Sequence, residues 1–172
     1  MTSDYVDLWV GSPVPQCQTV IVNTGSVTTA FLFRGCRSDC VREYHTDAIF
    51  DDTESDTFKR ITNRDDCALG TYRKGEGECR VSMSYKEGST RRAYEADGWA
   101  YACGPHRLPL HLQEDNNKYK DKDENDVSSY SLQARFGCQT KITGLFISQL
   151  ADGISGMDNL PPLYGIRCMT LI

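Results

Sequence analysis

Asn23-Thr24-Gly25-Ser26 follows directly on the apolar run Val20-Ile21-Val22. A buried strand that ends abruptly in a polar turn is a means of presenting a functional group at the strand's mouth, although the same four residues also suit an ordinary β-turn. The other residues able to do chemistry are eight cysteines, Cys17, Cys36, Cys40, Cys67, Cys79, Cys103, Cys138 and Cys168. Their number is even and high for a reducing cytosol, so they read as disulfides formed in an oxidising compartment. Small loops closed by Cys36 with Cys40 and by Cys67 with Cys79 are favoured, with Cys103 joined to Cys138. Cys17 and Cys168 then bond to each other or wait for partners outside the chain, and many other connectivities stay open. The competing chemistry is zinc held among Cys36, Cys40, His45, Cys67 and Cys79, against which the spacing lacks the paired short knuckles of common zinc modules.

Other combinations are weaker. Cys103 with His106, or Cys138 with His111, could be drawn as nucleophile and base, but neither cysteine sits in a strand-to-helix elbow. Asp51-Asp52 and Asp65-Asp66 lack the regular oxygen spacing of a calcium loop. Gly75-Glu76-Gly77 has too few successive backbone donors, and an acid in their midst, to cradle phosphate. No metal and no cofactor is expected.

The elements that must position these residues are strands. Short runs rich in β-branched and aromatic residues recur between turn residues, and no window sustains apolar residues at helical spacing for more than a few turns, so the fold class is all-β. Tyr5 to Val10, the turn-forming Gly11-Ser12-Pro13-Val14-Pro15, and Gln18 to Val22 predict a hairpin. A second hairpin is expected from Arg80 to Tyr94, where Val81, Met83 and Tyr85 alternate with Ser82 and Ser84 and Lys86-Glu87-Gly88-Ser89 makes the tip. Leu132 to Gln139 and Leu145 to Ile147 read as further strands, and Ala151 to Met157 as a small-residue segment suited to close backbone packing. Residues 114–126 hold nine charged residues of mixed sign in thirteen and read as a charged surface loop.

Composition bounds the partners. The 172 residues carry 19 Lys plus Arg against 24 Asp plus Glu, a net charge of -5, which gives no general attraction to a phosphate backbone, so nucleic acid is not an expected partner. At 39% hydrophobic and 25% charged the chain sits in the globular range. No stretch approaches a membrane-spanning length, so no membrane partner is expected within this chain. Met1-Thr2-Ser3-Asp4 runs into the first strand without a basic or apolar leader, and the end at Ile172 looks arbitrary; the expectation is a single lobe over 1–172, truncated and stripped of its natural leader.

The order of these features resembles the N-terminal lobe of pepsin-like aspartic proteases, and more closely their cysteine-rich nepenthesin-like branch, over roughly residues 5 to 160. The opening Tyr5-Val6-Asp7-Leu8-Trp9-Val10-Gly11-Ser12-Pro13 is similar to the family's first strand. Asn23-Thr24-Gly25-Ser26 stands where the family has Asp-Thr-Gly-Ser. The Cys36/Cys40 loop follows, then Phe50-Asp51 through Ser55-Asp56-Thr57-Phe58. Ser84 to Ser89 resembles the active-site flap, and Arg135-Phe136-Gly137-Cys138 and Ala151-Asp152-Gly153-Ile154-Ser155-Gly156 resemble the strand and the segment that pack behind the catalytic turn.

The resemblance implies a barrel-like β lobe with a flap and little helix, which supplies one of two catalytic carboxylates to an extended peptide or protein substrate. A C-terminal lobe or a second copy of the chain would supply the other. Two carboxylates a hydrogen bond apart share one proton, so the pair acts as base toward water and as acid toward the peptide. By the same resemblance Thr24 braces the turn and Ser26 bonds the acid. Tyr85 closes over substrate, and Gly88 and Ser89 offer groups to its backbone. Arg91-Arg92 is expected to face solvent beside the flap, its simplest role being to bias the cleft toward acidic peptides. The family's location is extracellular or vacuolar/lysosomal.

Two departures matter. Asn23 replaces the acid, and a neutral amide takes no proton from water; no Asp-Thr-Gly or Asp-Ser-Gly occurs elsewhere in the chain. The expected function is therefore that of an aspartic-endopeptidase lobe that is catalytically impaired, the alternative being a non-catalytic module that holds a peptide or protein without cutting it. A smaller mismatch is Ser155, which stands where the family usually has an apolar residue and is expected to soften packing by about 1–2 kcal/mol if left without a partner.

Overall fold

The computed structural model describes residues 5–40, 44–102 and 132–156. Among these residues nine strands form one sheet: β1 (Tyr5–Val10), β2 (Gln16–Asn23), β3 (Ala30–Leu32), β4 (Lys59–Arg60), β5 (Thr71–Arg73), β6 (Glu78–Ser84), β7 (Thr90–Ala102), β8 (Leu132–Ile142) and β9 (Gly153–Gly156). The helical pieces among the described residues are 3-10 helices of three to six residues, so the all-β expectation holds.

The path β1-β2-β9-β3-β8-β7 closes on itself because β1 also pairs with β7, Trp9 opposite Tyr101. Closure removes the unpaired strand edges that an open sheet would expose. β6 and β5 continue outward from β7, and β4 pairs with β7 separately. Both expected hairpins are present: β1–β2 with Leu8 opposite Gln18, and β6–β7 with Met83 opposite Arg91.

The apolar run in β2 meets apolar side chains on both faces, Val20 buried and Ile21 half-buried, which is why it is continuous where a strand with one solvated face would alternate. Val20 joins a cluster with Val10, Phe31, Phe50, Tyr94 and Phe136, in which Phe31 lies 4.9 Å from Phe136 and edge-on to Phe50 at 5.6 Å between ring centroids. Ile21 points the other way, against Leu32, Ile142, Phe146 and Ile154. The small-residue segment becomes β9, wedged parallel to β2 and antiparallel to β3. Only glycine allows this at residue 153, where a Cβ would stand 2.1 Å from the Ala30 carbonyl oxygen.

Disulfides join Cys36 to Cys40 and Cys67 to Cys79, as the loop reading anticipated, and remove those four sulfurs from any zinc site. Cys17 and Cys138 form no disulfide with a described cysteine. Cys103, His106, His111, Cys168 and the charged segment 114–126 lie outside the described residues.

Two expectations are corrected. Leu145 to Ile147 is not a strand but part of a 3-10 turn, Gly144–Ile147, because Gly144 enters it at φ +66°, with Phe146 buried, Ile147 half-buried against the same cluster and Leu145 exposed. Arg91 does not face solvent: strand alternation puts it inside, 2% exposed, and leaves Arg92 outside.

Candidate functional site

β2 delivers Asn23 as its last residue, opposite Gly156 of β9. The strand stops here because the Asn23 side chain folds back on the main chain: its Oδ1 accepts the Gly25 N–H at 2.8 Å, a local alternative to the sheet ladder. A Cβ at Gly156 would lie 2.6 Å from the Ser26 carbonyl oxygen, so β9 presses directly against the back of this turn. Ser155 is not left alone, since its Oγ lies 3.3 Å from the Thr29 hydroxyl across the turn.

The turn's remaining groups are unevenly placed. Thr24 and Gly25 are exposed. Ser26 is buried, and its hydroxyl has no hydrogen-bond partner, Asn23 included.

The β6–β7 tip is set by Tyr85 and Ser89: the Tyr85 N–H donates to the Ser89 carbonyl at 2.9 Å, and the Gly88 N–H to the Tyr85 carbonyl at 3.0 Å. Gly88 holds φ +94°, a conformation that favours glycine. Lys86, Glu87 and Gly88 are exposed. Ser89 is buried, its Oγ accepting the Leu145 N–H at 3.0 Å, so its side chain anchors the hairpin and only its main chain is left for a ligand.

Tyr85 rests edge-on against Phe146, 5.1 Å between centroids, in the cluster that Ile21 joins two residues before Asn23. Hairpin and turn thus share one hydrophobic support. Burial pushes the Tyr85 phenol above its ordinary pKa, and its hydroxyl has no partner. A hollow of about 580 Å³ lined by Arg73, Glu76, Arg80, Ser82, Arg92, Thr140 and Lys141 includes neither Asn23 nor Tyr85.

Behind the turn, at the other end of the β2–β9 pair, lies a carboxylate pair. Asp47 and Asp152 both accept the Thr19 N–H, at 2.8 and 2.9 Å, and the Asp47 N–H donates to Asp152 at 3.2 Å. Asp152 is raised to about 7 by burial first and then by its hydrogen bond to Asp47. Asp47, opposed by its own burial, is nevertheless held below the usual range by hydrogen bonds from Thr19 and Asp152. In the sequence Asp152 stands out only as part of the Asp-Gly-Ile-Ser-Gly segment, and no local signal links it to Asp47, which lies 105 residues away.

Chemically, Asn23 can donate and accept hydrogen bonds but cannot serve as a general base. Cys67, Cys79 and Glu95 come together, but the two sulfurs are bonded to each other, and the Glu95 carboxylate accepts the N–H groups of Ala68, Leu69 and Gly70. This trio is a loop anchor.

An all-β closed sheet with a strand-borne polar turn and an adjoining hairpin is what the chain offers, and the comparison with known proteins points to proteases. Over 89% of its length the chain is 30% identical to Aspartic protease 5 of Toxoplasma gondii, of which it spans 15%. No family model matches the chain.

Proposed function

We propose that the chain is the flap-bearing, N-terminal lobe of a pepsin-like aspartic endopeptidase, impaired because Asn23 occupies the acid's place. The observation that carries this reading is the register of Asn23 against Gly156, which puts the Asn-Thr-Gly-Ser turn at the mouth of a buried strand with the Asp-Gly-Ile-Ser-Gly segment directly behind it. The similarity to an aspartic protease supports it, and the two disulfides fit a secretory-pathway compartment, extracellular or vacuolar/lysosomal. A full dyad takes a second carboxylate from another lobe or a second copy of the chain. The substrate is an extended peptide lying between the turn and the Tyr85–Ser89 hairpin.

A second reading, a peptide-holding module that does not cleave, is favoured by Asn23 itself, because an amide keeps the turn's shape and loses its basicity. Cleavage of a denatured protein at acidic pH separates the two when this chain is compared with Asn23→Asp, each with and without a statine-type inhibitor. Inhibitor-sensitive cleavage in the Asp variant alone supports an impaired protease. Inhibitor binding without cleavage in either protein supports the holding module. Absence of both binding and cleavage overturns the two readings together.

A further inference from the structure

Arg91 is 2% exposed, yet among the described residues nothing acidic meets it. Its Nη2 donates to the Thr28 carbonyl at 3.1 Å and lies 3.0 Å from the Met83 sulfur, while Nε and Nη1 are buried without any hydrogen-bond partner. The side chain stands on the inner face of the β6–β7 hairpin, directly across from Met83, with its guanidinium 5.7 Å from the Tyr85 ring. It therefore bridges hairpin and turn, since Thr28 follows two residues after Ser26. The Ser26 and Tyr85 hydroxyls are buried without partners as well. A buried guanidinium with unpaired donors is costly, and folded proteins rarely keep one without a use. Its planar fork matches a carboxylate or a phosphate bidentately, and of the two an unmodified peptide carries the carboxylate.

We propose that Arg91 is a specificity-determining receptor for an acidic side chain of the bound peptide, reached when the hairpin lifts and closed over when it returns. This rests on the reading of the cleft as a holder of extended peptides and names the class it prefers: peptides bearing one Glu or Asp beneath the hairpin. Exposed Arg92, on the opposite face, attracts anions only diffusely. Buried Arg91 makes a positional demand, because its free donors Nε and Nη1 are enclosed with the side chain, whose Nη2 is held by Thr28 and Met83.

The test uses the whole chain and fluorescent extended peptides in pairs that differ only by Glu or Gln at one scanned position. At one position the Glu peptide binds at least about tenfold more tightly than its Gln partner. Arg91→Gln abolishes that ratio, the Glu peptide losing more affinity than its Gln partner, while Arg92→Gln keeps the ratio. In the absence of peptide, Arg91→Met raises the melting temperature, since it removes an unpaired charge; a purely structural arginine would give a fall. Arg91→Lys, which keeps the charge and loses the fork, retains a reduced ratio and serves if the Met variant does not fold. Equal binding of every Glu/Gln pair, or a ratio that survives Arg91→Gln, overturns the proposal and leaves the cleft reading standing. Failure of all peptides to bind overturns the cleft reading and this one with it. Acetate or phosphate alone matching the Glu peptide's stabilisation would mean an anion site without peptide recognition, and also overturns it.

Discussion

Asp152 shows how a single side chain sets the conditions under which the turn's support is sound. It is 2% exposed and shares a proton-bearing contact with Asp47, while Asp7 approaches through the Thr19 hydroxyl and Cys17 lies beside Asp47. Its folded pKa is raised to about 7 from 3.8, chiefly by burial. The protonated form is thus favoured in the fold, so the stability it contributes is fully present below about pH 4 and is lost as pH rises through about 7. Asp47 titrates in the opposite sense and at lower pH, so it does not cancel this loss. Unfolding free energy should fall by on the order of 3 kcal/mol between pH 4 and pH 8 from this group. Asp152→Asn, which donates to Asp47 at every pH, should flatten that slope in denaturant titrations; an unchanged slope would show that the pair does not titrate in this range. Of these residues the sequence made Asn23 legible, because a polar turn after a buried run is a local pattern. Asp152 with Asp47, and Arg91 with Thr28, were not legible as pairs, because their partners lie far away along the chain.

Among the elements, the β6–β7 hairpin owes its placement to a latch at its base. The Ser89 hydroxyl accepts the Leu145 N–H, Thr143 Oγ1 accepts the Thr90 N–H at 3.0 Å, and the Thr143 N–H donates to the Thr90 carbonyl at 2.9 Å. Ser89→Ala should cost about 1 kcal/mol, because it removes the partner of the part-buried Leu145 N–H. The Leu145 and Gly88 amides should then exchange faster than those of β8; exchange unchanged at both would show that the latch does not hold the hairpin. Gly153→Ala is a harsher change, since a Cβ would meet the Ala30 carbonyl at 2.1 Å and the Phe31 Cα at 2.7 Å. Backbone cannot yield there as a flexible side chain would, so a loss of about 3 kcal/mol or more is expected in denaturant unfolding. Both hairpins were legible from alternation and turn residues. The 144–147 turn was not, because Leu145-Phe146-Ile147 is apolar enough for a strand and only the positive φ of Gly144 breaks it. Family resemblance implied that Ala151 to Gly156 packs behind the turn; that it does so as a strand between β2 and β3 was not legible, because periodicity is silent on which strands become neighbours.

For the whole molecule, the closed sheet fixes the ends of the strands, and the two disulfides fix what the sheet leaves free. Cys67–Cys79 ties the loop after β4 to β6, and the same loop is gripped by Glu95, which accepts the N–H groups of Ala68, Leu69 and Gly70 at 2.9, 3.0 and 2.6 Å. Those hydrogen bonds act in the folded state, whereas the bridge acts mainly by restricting the unfolded chain, so the two contributions are separable. With sequence separations of 12 and 4 residues, loop-closure entropy assigns about 3 kcal/mol to Cys67–Cys79 and about 2 kcal/mol to Cys36–Cys40. Their sum, about 5 kcal/mol, is comparable with the whole stability of a marginal domain. The chain should therefore hold its fold in an oxidising compartment and approach unfolding in a reducing one. Denaturant unfolding of the intact chain with and without reductant, beside the Cys36→Ser/Cys40→Ser and Cys67→Ser/Cys79→Ser pairs, measures each part. The larger drop is expected for the Cys67/Cys79 pair, with Glu95→Gln adding its own loss on top of it. Reductant that leaves the midpoint where it was would mean that the closed sheet alone carries the fold, and that the cysteines say nothing about the compartment in which it works.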